Sequence, residues 1–157
     1  MLKDLLGAIW RRLPRRFRLL YSRIAHPRFI VSVGGVVIDD YSRVLLLNHV
    51  FRAGSGWGIP GGFLEAGEQP EEALRRELRE EVGLELESTE IVFARTLRGA
   101  GQIEIVFRCQ PSGEAHPRSI EVTAAAWFRL EELPESLSRD QRSLIERALS
   151  VGAEAPV

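Results

Sequence analysis

A chain of 157 residues that is 45% hydrophobic and 27% charged has the size and balance of one ordinary soluble globular domain with a sizeable core, plus a short appendage. No run approaches the ~20 apolar residues of a membrane span, Arg11 and Arg12 cut the opening apolar stretch too early for a signal peptide, and the single cysteine, Cys109, excludes an intrachain disulfide and fits a reducing cytoplasm. The net charge of −1 conceals an imbalance: Lys3, Arg11, Arg12, Arg15, Arg16, Arg18, Arg23 and Arg28 stand against Asp4 alone in residues 1–30, a net of +7 that leaves −8 for the rest.

The chain opens with Leu2, Leu5, Leu6, Ile9, Trp10 and Leu13 at helical spacing, which predicts an amphipathic helix. Pro14 interrupts it, and Phe17, Leu20, Tyr21 and Ile24 continue the pattern with arginines between. This basic helical arm, residues 1–28, has three readings. It packs on its own domain or on the mate of a homodimer, it rests on an anionic membrane surface through residues 1–25, or it contacts phosphate or RNA. No specific nucleic-acid partner is expected.

His26-Pro27 marks a joint. Phe29 to Ile38 reads as a buried strand, with Gly34-Gly35 allowing close backbone approach or a bulge. Asp39 to Ser42 is turn chemistry, and Val44 to Leu47 begins the partner strand. His49 and Arg52 follow, where a nucleotide or its phosphates would reach, although a lone histidine is more often structural than a ligand.

Trp57 to Leu84 organises the rest. Pro60, Gly61, Gly62 and Gly67 are loop formers, Pro70 suits the first helical position, and Glu71 and Glu72 complement the helix dipole. A helix runs from there to Val82, with Leu74, Leu78 and Val82 toward the core and Gly83 as its stop. Glu77, Glu80 and Glu81 fall within a sector of roughly 100°. Charge alone leaves two readings of them: solvated carboxylates balanced by Arg75, Arg76 and Arg79, or oxygen ligands of a hard divalent cation.

Two strands follow, Thr89 to Leu97 and Gln102 to Cys109, joined by the turn Arg98 to Gly101. Ile103, Ile105 and Phe107 alternate, which puts Glu104 and Arg108 on the opposite face as lining of a cleft. With Arg52 they are the candidate substrate contacts. Cys109 reads as a packed thiol rather than a nucleophile. Pro111 to Ser119 is a polar loop, Ser138 caps a helix from Arg139 to Leu149 that turns Leu144, Ile145 and Leu149 to the core, and residues 151–157 form a flexible tail.

The string Gly62-x5-Glu68-x7-Arg76-Glu77-Leu78-x-Glu80-Glu81-x-Gly83-Leu84 fills every fixed position of the Nudix box, and the chain resembles a Nudix (MutT-like) hydrolase. The upstream W-x-x-P-G-G and the later Trp127-Phe128 extend the resemblance, giving a domain over 29–150 with its box at 62–84. The resemblance implies an α/β/α sandwich with a mixed central sheet. It implies that Glu68 and Arg76 pair structurally, between Gly62 and Gly83, and that Glu77, Glu80, Glu81 and the Gly61 carbonyl hold Mg²⁺ or Mn²⁺. Glu121, ahead of the W-F segment, is the second candidate for general base beside Glu77. A further acidic position often seen three residues before the tryptophan is Ala124 here, which weakens any mechanism needing both.

The implied reaction is metal-dependent hydrolysis of the pyrophosphate bond in a nucleoside diphosphate linked to another moiety, releasing a nucleoside monophosphate. ADP-ribose, nucleotide sugars, dinucleotides and nucleoside triphosphates are all within that class. The competing reading is a non-catalytic module that senses nucleotides or binds RNA.

Overall fold

The computed structural model describes residues 2–52, 54–97 and 99–151. Strand β1 (Ile30–Val37) is the axis of the domain because its two neighbours run in different directions. On one side it pairs in parallel with β6 (Gln102–Ser112), and on the other antiparallel with β4 (Gly61–Phe63). Strand β5 (Glu85–Leu97) closes this mixed four-stranded sheet, antiparallel to β6. A second, three-stranded antiparallel sheet has β2 (Val44–His49) between β3 (Trp57–Gly58) and β7 (Val122–Phe128). Only Ile59 and Pro60 separate β3 from β4, so the chain passes from one sheet to the other over a dipeptide.

Alternation along β1 feeds two cores. Val33 and Val37 face helix α3 (Pro70–Val82) and pack with Leu45, Leu47, Leu74, Leu78 and Val82. Val36 faces the other way and packs with Leu46, Val106 and helix α4 (Arg139–Val151), through Leu144, Ile145 and Ala148. The result is the expected α/β/α sandwich. Helix α3 begins at Pro70 in a capping box between Gln69 and Glu72, and ends where Gly83 turns left-handed at φ 67°. Ser138 caps α4, its hydroxyl accepting from the Gln141 N–H at 3.2 Å.

Strands β5 and β6 run further than alternation predicts. Leu86 pairs with Pro111 across a register shift, so the polar loop begins only after Ser112. Val151 belongs to α4, the remainder of the predicted tail lies outside the described residues, and so does Arg98 of the predicted turn.

The arm forms two helices, α1 (Leu2–Arg12) and α2 (Arg15–Ala25), broken at Pro14 as the spacing predicts. Trp10 meets Tyr21 edge to face at 5.3 Å. Packing on its own domain is not what α2 does: Phe17, Leu20, Tyr21 and Ile24 are all exposed. No described helix is long and apolar enough to cross a membrane.

Candidate active site

Helix α3 lays its three carboxylates across the border of its buried face. Relative to Glu77, Glu81 is turned ~40° toward the stripe of Leu74, Leu78 and Val82, and Glu80 is turned ~60° away. Glu81 is therefore 8% exposed, whereas the Glu80 side chain is 63% exposed. Three carboxylates at the predicted spacing thus occupy three different environments.

His49, at the end of β2, places Nε2 3.3 Å from Glu81 Oε1, too poorly aligned for a hydrogen bond. Burial, and then the charge of Arg52, lower the His49 pKa to about 4. Burial, and then Glu77, raise the Glu81 pKa to about 8. Near neutral pH the contact is between an uncharged imidazole and a protonated carboxyl, not an ion pair. Glu81 Oε2, His49 Nε2 and Arg52 Nη1 are buried without a hydrogen-bond partner among the described residues.

Arg52 reaches under the glycine loop, where its Nη2 donates to the Ile59 carbonyl at 3.1 Å. Its guanidinium fills the space a Cβ on Gly58 would need. Gly62 does the same for Glu77, whose carboxylate lies where a side chain would project. Burial raises the Glu77 pKa against the opposing pull of Arg76. The glycines of W-G-I-P-G-G thus make room for functional side chains as well as shaping a turn.

Arg76 and Glu68 form the bidentate pair expected of them, at 2.9 and 3.1 Å. The same Nη2 donates to the Phe63 carbonyl at 3.0 Å, which fixes β4, the loop and α3 together. Arg76 Nη1 lies 3.0 Å from Glu77 and 3.5 Å from Glu80.

His49, Arg52, Gly61, Glu77, Glu81 and Glu121 line one cleft of about 680 Å³. Glu121 reaches it from just before β7, exposed, with its backbone carbonyl accepting from the Val50 N–H at 2.9 Å. Glu104 lines a smaller adjoining groove of about 160 Å³ with Arg52, Gly61 and Gly62. Arg95 holds Glu104 at 2.5 Å and Asp140 of α4 at 2.7 and 2.8 Å.

Two candidates stand elsewhere. Arg108 is on the same face of β6 as Glu104 but lines a separate groove with Asp39 and Glu90. Glu80 is not in the lining of the cleft and stays in solvent beside Arg76. Among the described residues, no three His, Cys, Asp or Glu side chains are arranged as ligands of one ion. The reason is local: Arg76 draws Glu77 and Glu80 toward itself, and Glu81 leans on His49.

Sequence reading missed Gln141, whose Oε1 accepts from the Ile59 N–H at 2.9 Å across 82 positions. It also missed Phe63, which lines both cavities and is 57% exposed. A large apolar residue inside a glycine loop was the available signal.

The NUDIX domain family matches residues 28–148. A MutT-like protein of Streptomyces ambofaciens is 40% identical over 115 residues, covering 71% of each chain. A human protein named 8-oxo-dGDP phosphatase NUDT18 is 34% identical over 126 residues, covering 76% of this chain but 39% of its own length. The crystal structure of a MutT NUDIX hydrolase from Burkholderia pseudomallei superimposes with a TM-score of 0.67 at 28% identity, covering 76% of this chain and 98% of that one.

Proposed function

The chain belongs to the NUDIX family and is a Nudix pyrophosphohydrolase, and from that premise we propose that it cleaves the pyrophosphate bond of a nucleoside diphosphate linked to another moiety, using Mg²⁺ or Mn²⁺ and releasing a nucleoside monophosphate. The observation that carries this reading is Glu81, shielded from water with Oε2 unpartnered, in one cleft with Glu77 and Glu121. A carboxylate in that position is costly to ionise unless a cation joins it, so the donors present fit a divalent ion. Glu77, Glu81 and the Gly61 carbonyl would hold it, with Glu80 swinging in from solvent. An all-oxygen donor set suits Mg²⁺ or Mn²⁺.

When bound, such an ion offsets the negative charge of the phosphate oxygens and polarises the anhydride. The rest falls to the side chains. Arg52 lines the cleft and sets a positive charge beside the phosphates. Glu77 takes the proton of the attacking water, with Glu121 at the rim as the alternative base. His49, uncharged, supports Glu81 without adding a positive charge that would repel a cation.

ADP-ribose, nucleotide sugars, dinucleotides and nucleoside triphosphates make up the substrate panel. The name of the human relative adds 8-oxo-dGDP, a nucleoside diphosphate, to that panel. Incubation with Mg²⁺ or Mn²⁺ should release a nucleoside monophosphate from at least one member. Glu81→Gln should lower kcat by about 10³-fold, the several kcal/mol expected of a lost metal-site carboxylate. If wild type and variant were equally inactive while both bound nucleotide, the chain would be a binding module instead.

A further inference from the structure

Helices α1 and α2 precede the span that matches the family, and the cleft uses none of their residues. Phe17, Leu20, Tyr21 and Ile24 are 48%, 53%, 57% and 76% exposed. At ~100° per residue these four share a sector of about 100° on α2, with Arg16 and Arg18 at its two borders and Arg15 behind. The Arg16 guanidinium lies 5.2 Å from the centre of the Phe17 ring, and Trp10 of α1 extends the patch against Tyr21. Residues 1–28 carry eight basic residues against Asp4, the most cationic stretch of the chain.

We propose that α1 and α2 dock on an anionic lipid surface, lying flat with the apolar sector of α2 in the acyl boundary and its arginines level with the phosphates. The layout favours lipid over other occupants. Arginines bordering an apolar stripe fit an interface that is hydrocarbon on one side and anionic on the other. A nucleic acid would satisfy the arginines and leave Leu20 and Ile24 in water. Pairing with the arm of a second copy would bring two stretches of net +7 together. Charge complementarity and the uncovered apolar face both point to lipid, each Lys or Arg near such a surface adding to the attraction.

The arm is also rooted beside the cleft. Ile30 pairs with Gln102, and Ser32, two residues on, lines the groove shared by Arg52 and Gly62. The link from His26 to Phe29 spans at most ~14 Å, so a docked arm would hold the cleft close to the surface.

Sedimentation of the full chain with vesicles tests this. Phosphatidylcholine vesicles containing roughly 30% phosphatidylserine should carry the protein down, and pure phosphatidylcholine should not. Raising salt from about 0.1 to about 0.5 M should weaken the partitioning at least roughly tenfold. The double variant Leu20→Ser, Ile24→Ser keeps every charge and should partition about tenfold less or worse. It should hydrolyse soluble nucleotide at the wild-type rate, which shows that it is folded and separates this test from that of the catalytic reading. Three results would overturn the proposal: no binding to the anionic vesicles, equal binding by the double variant, or a solution dimer that the double variant dissociates. Tighter binding to a single-stranded RNA, indifferent to the double variant, would replace lipid with nucleic acid.

Discussion

Burial keeps His49 neutral and Glu81 protonated, moving their pKa values in opposite directions, and the pH dependence of stability follows from both. Folded Glu81 keeps its proton to about pH 8, whereas an unfolded glutamate releases it near 4.5. The folded state therefore binds more protons across that window, and stability falls as pH rises through it. Folded His49 stays neutral down to about pH 4, whereas an unfolded histidine takes a proton below 6.5, so its contribution is lost as pH falls through that range. The two slopes oppose each other between pH 4.5 and 6.5, and only that of Glu81 remains from 6.5 to 8. Thermal melts in chelator should show Tm declining from pH 6.5 to 8, and Glu81→Gln should flatten the decline. Added divalent cation should reverse it, because the ionised carboxylate is the ligand. A second residue-scale expectation concerns Gly62. In Gly62→Ala the new methyl displaces the Glu77 carboxylate, so kcat should fall roughly tenfold or more with an unchanged circular dichroism spectrum.

At the scale of elements, α3 and α4 are held by separate cores on opposite faces of the sheet, so their losses should be independent. Leu78→Ala and Ile145→Ala each empty a site that is 0% exposed and should cost about 2–5 kcal/mol in urea unfolding. The double variant should lose the sum to within ~0.5 kcal/mol; a large departure would mean that the sheet transmits packing strain between its faces. These helices were legible in the sequence because their ends carry local chemistry: Pro70 and Gly83 for one, Ser138 for the other. The pairing of Glu68, in the loop before α3, with Arg76 was expected only because the resemblance to the family implied it. Arg108 shows where such reading stops. Alternation along β6 names its face correctly but not which end of a strand meets the loop, and Glu104 took that end. The exposure of Glu80 was not legible either, because a sector of ~100° is wide enough to straddle burial and solvent. The ties from Gln141 to Ile59 and from Arg95 to Asp140, 82 and 45 positions apart, have no local signature at all.

Over the whole molecule, Cys109 offers a probe of global opening. It is 1% exposed, and burial pushes its thiol up to about 12, so labelling at neutral pH should proceed only through unfolded chains and at the rate set by their population. Rapid labelling of folded protein would show that the core between α3 and the sheet opens locally. The crossing at Ile59-Pro60 has a wider consequence. His49 and Glu121 belong to the three-stranded panel, Gly61 and Gly62 to the four-stranded one, and the cleft straddles the crease between them. A change of angle at that crease would widen or narrow the gap between its lips. Whatever bridges the two lips clamps the crease, and amide exchange should slow on both panels at once, including strands that the bridging molecule never meets.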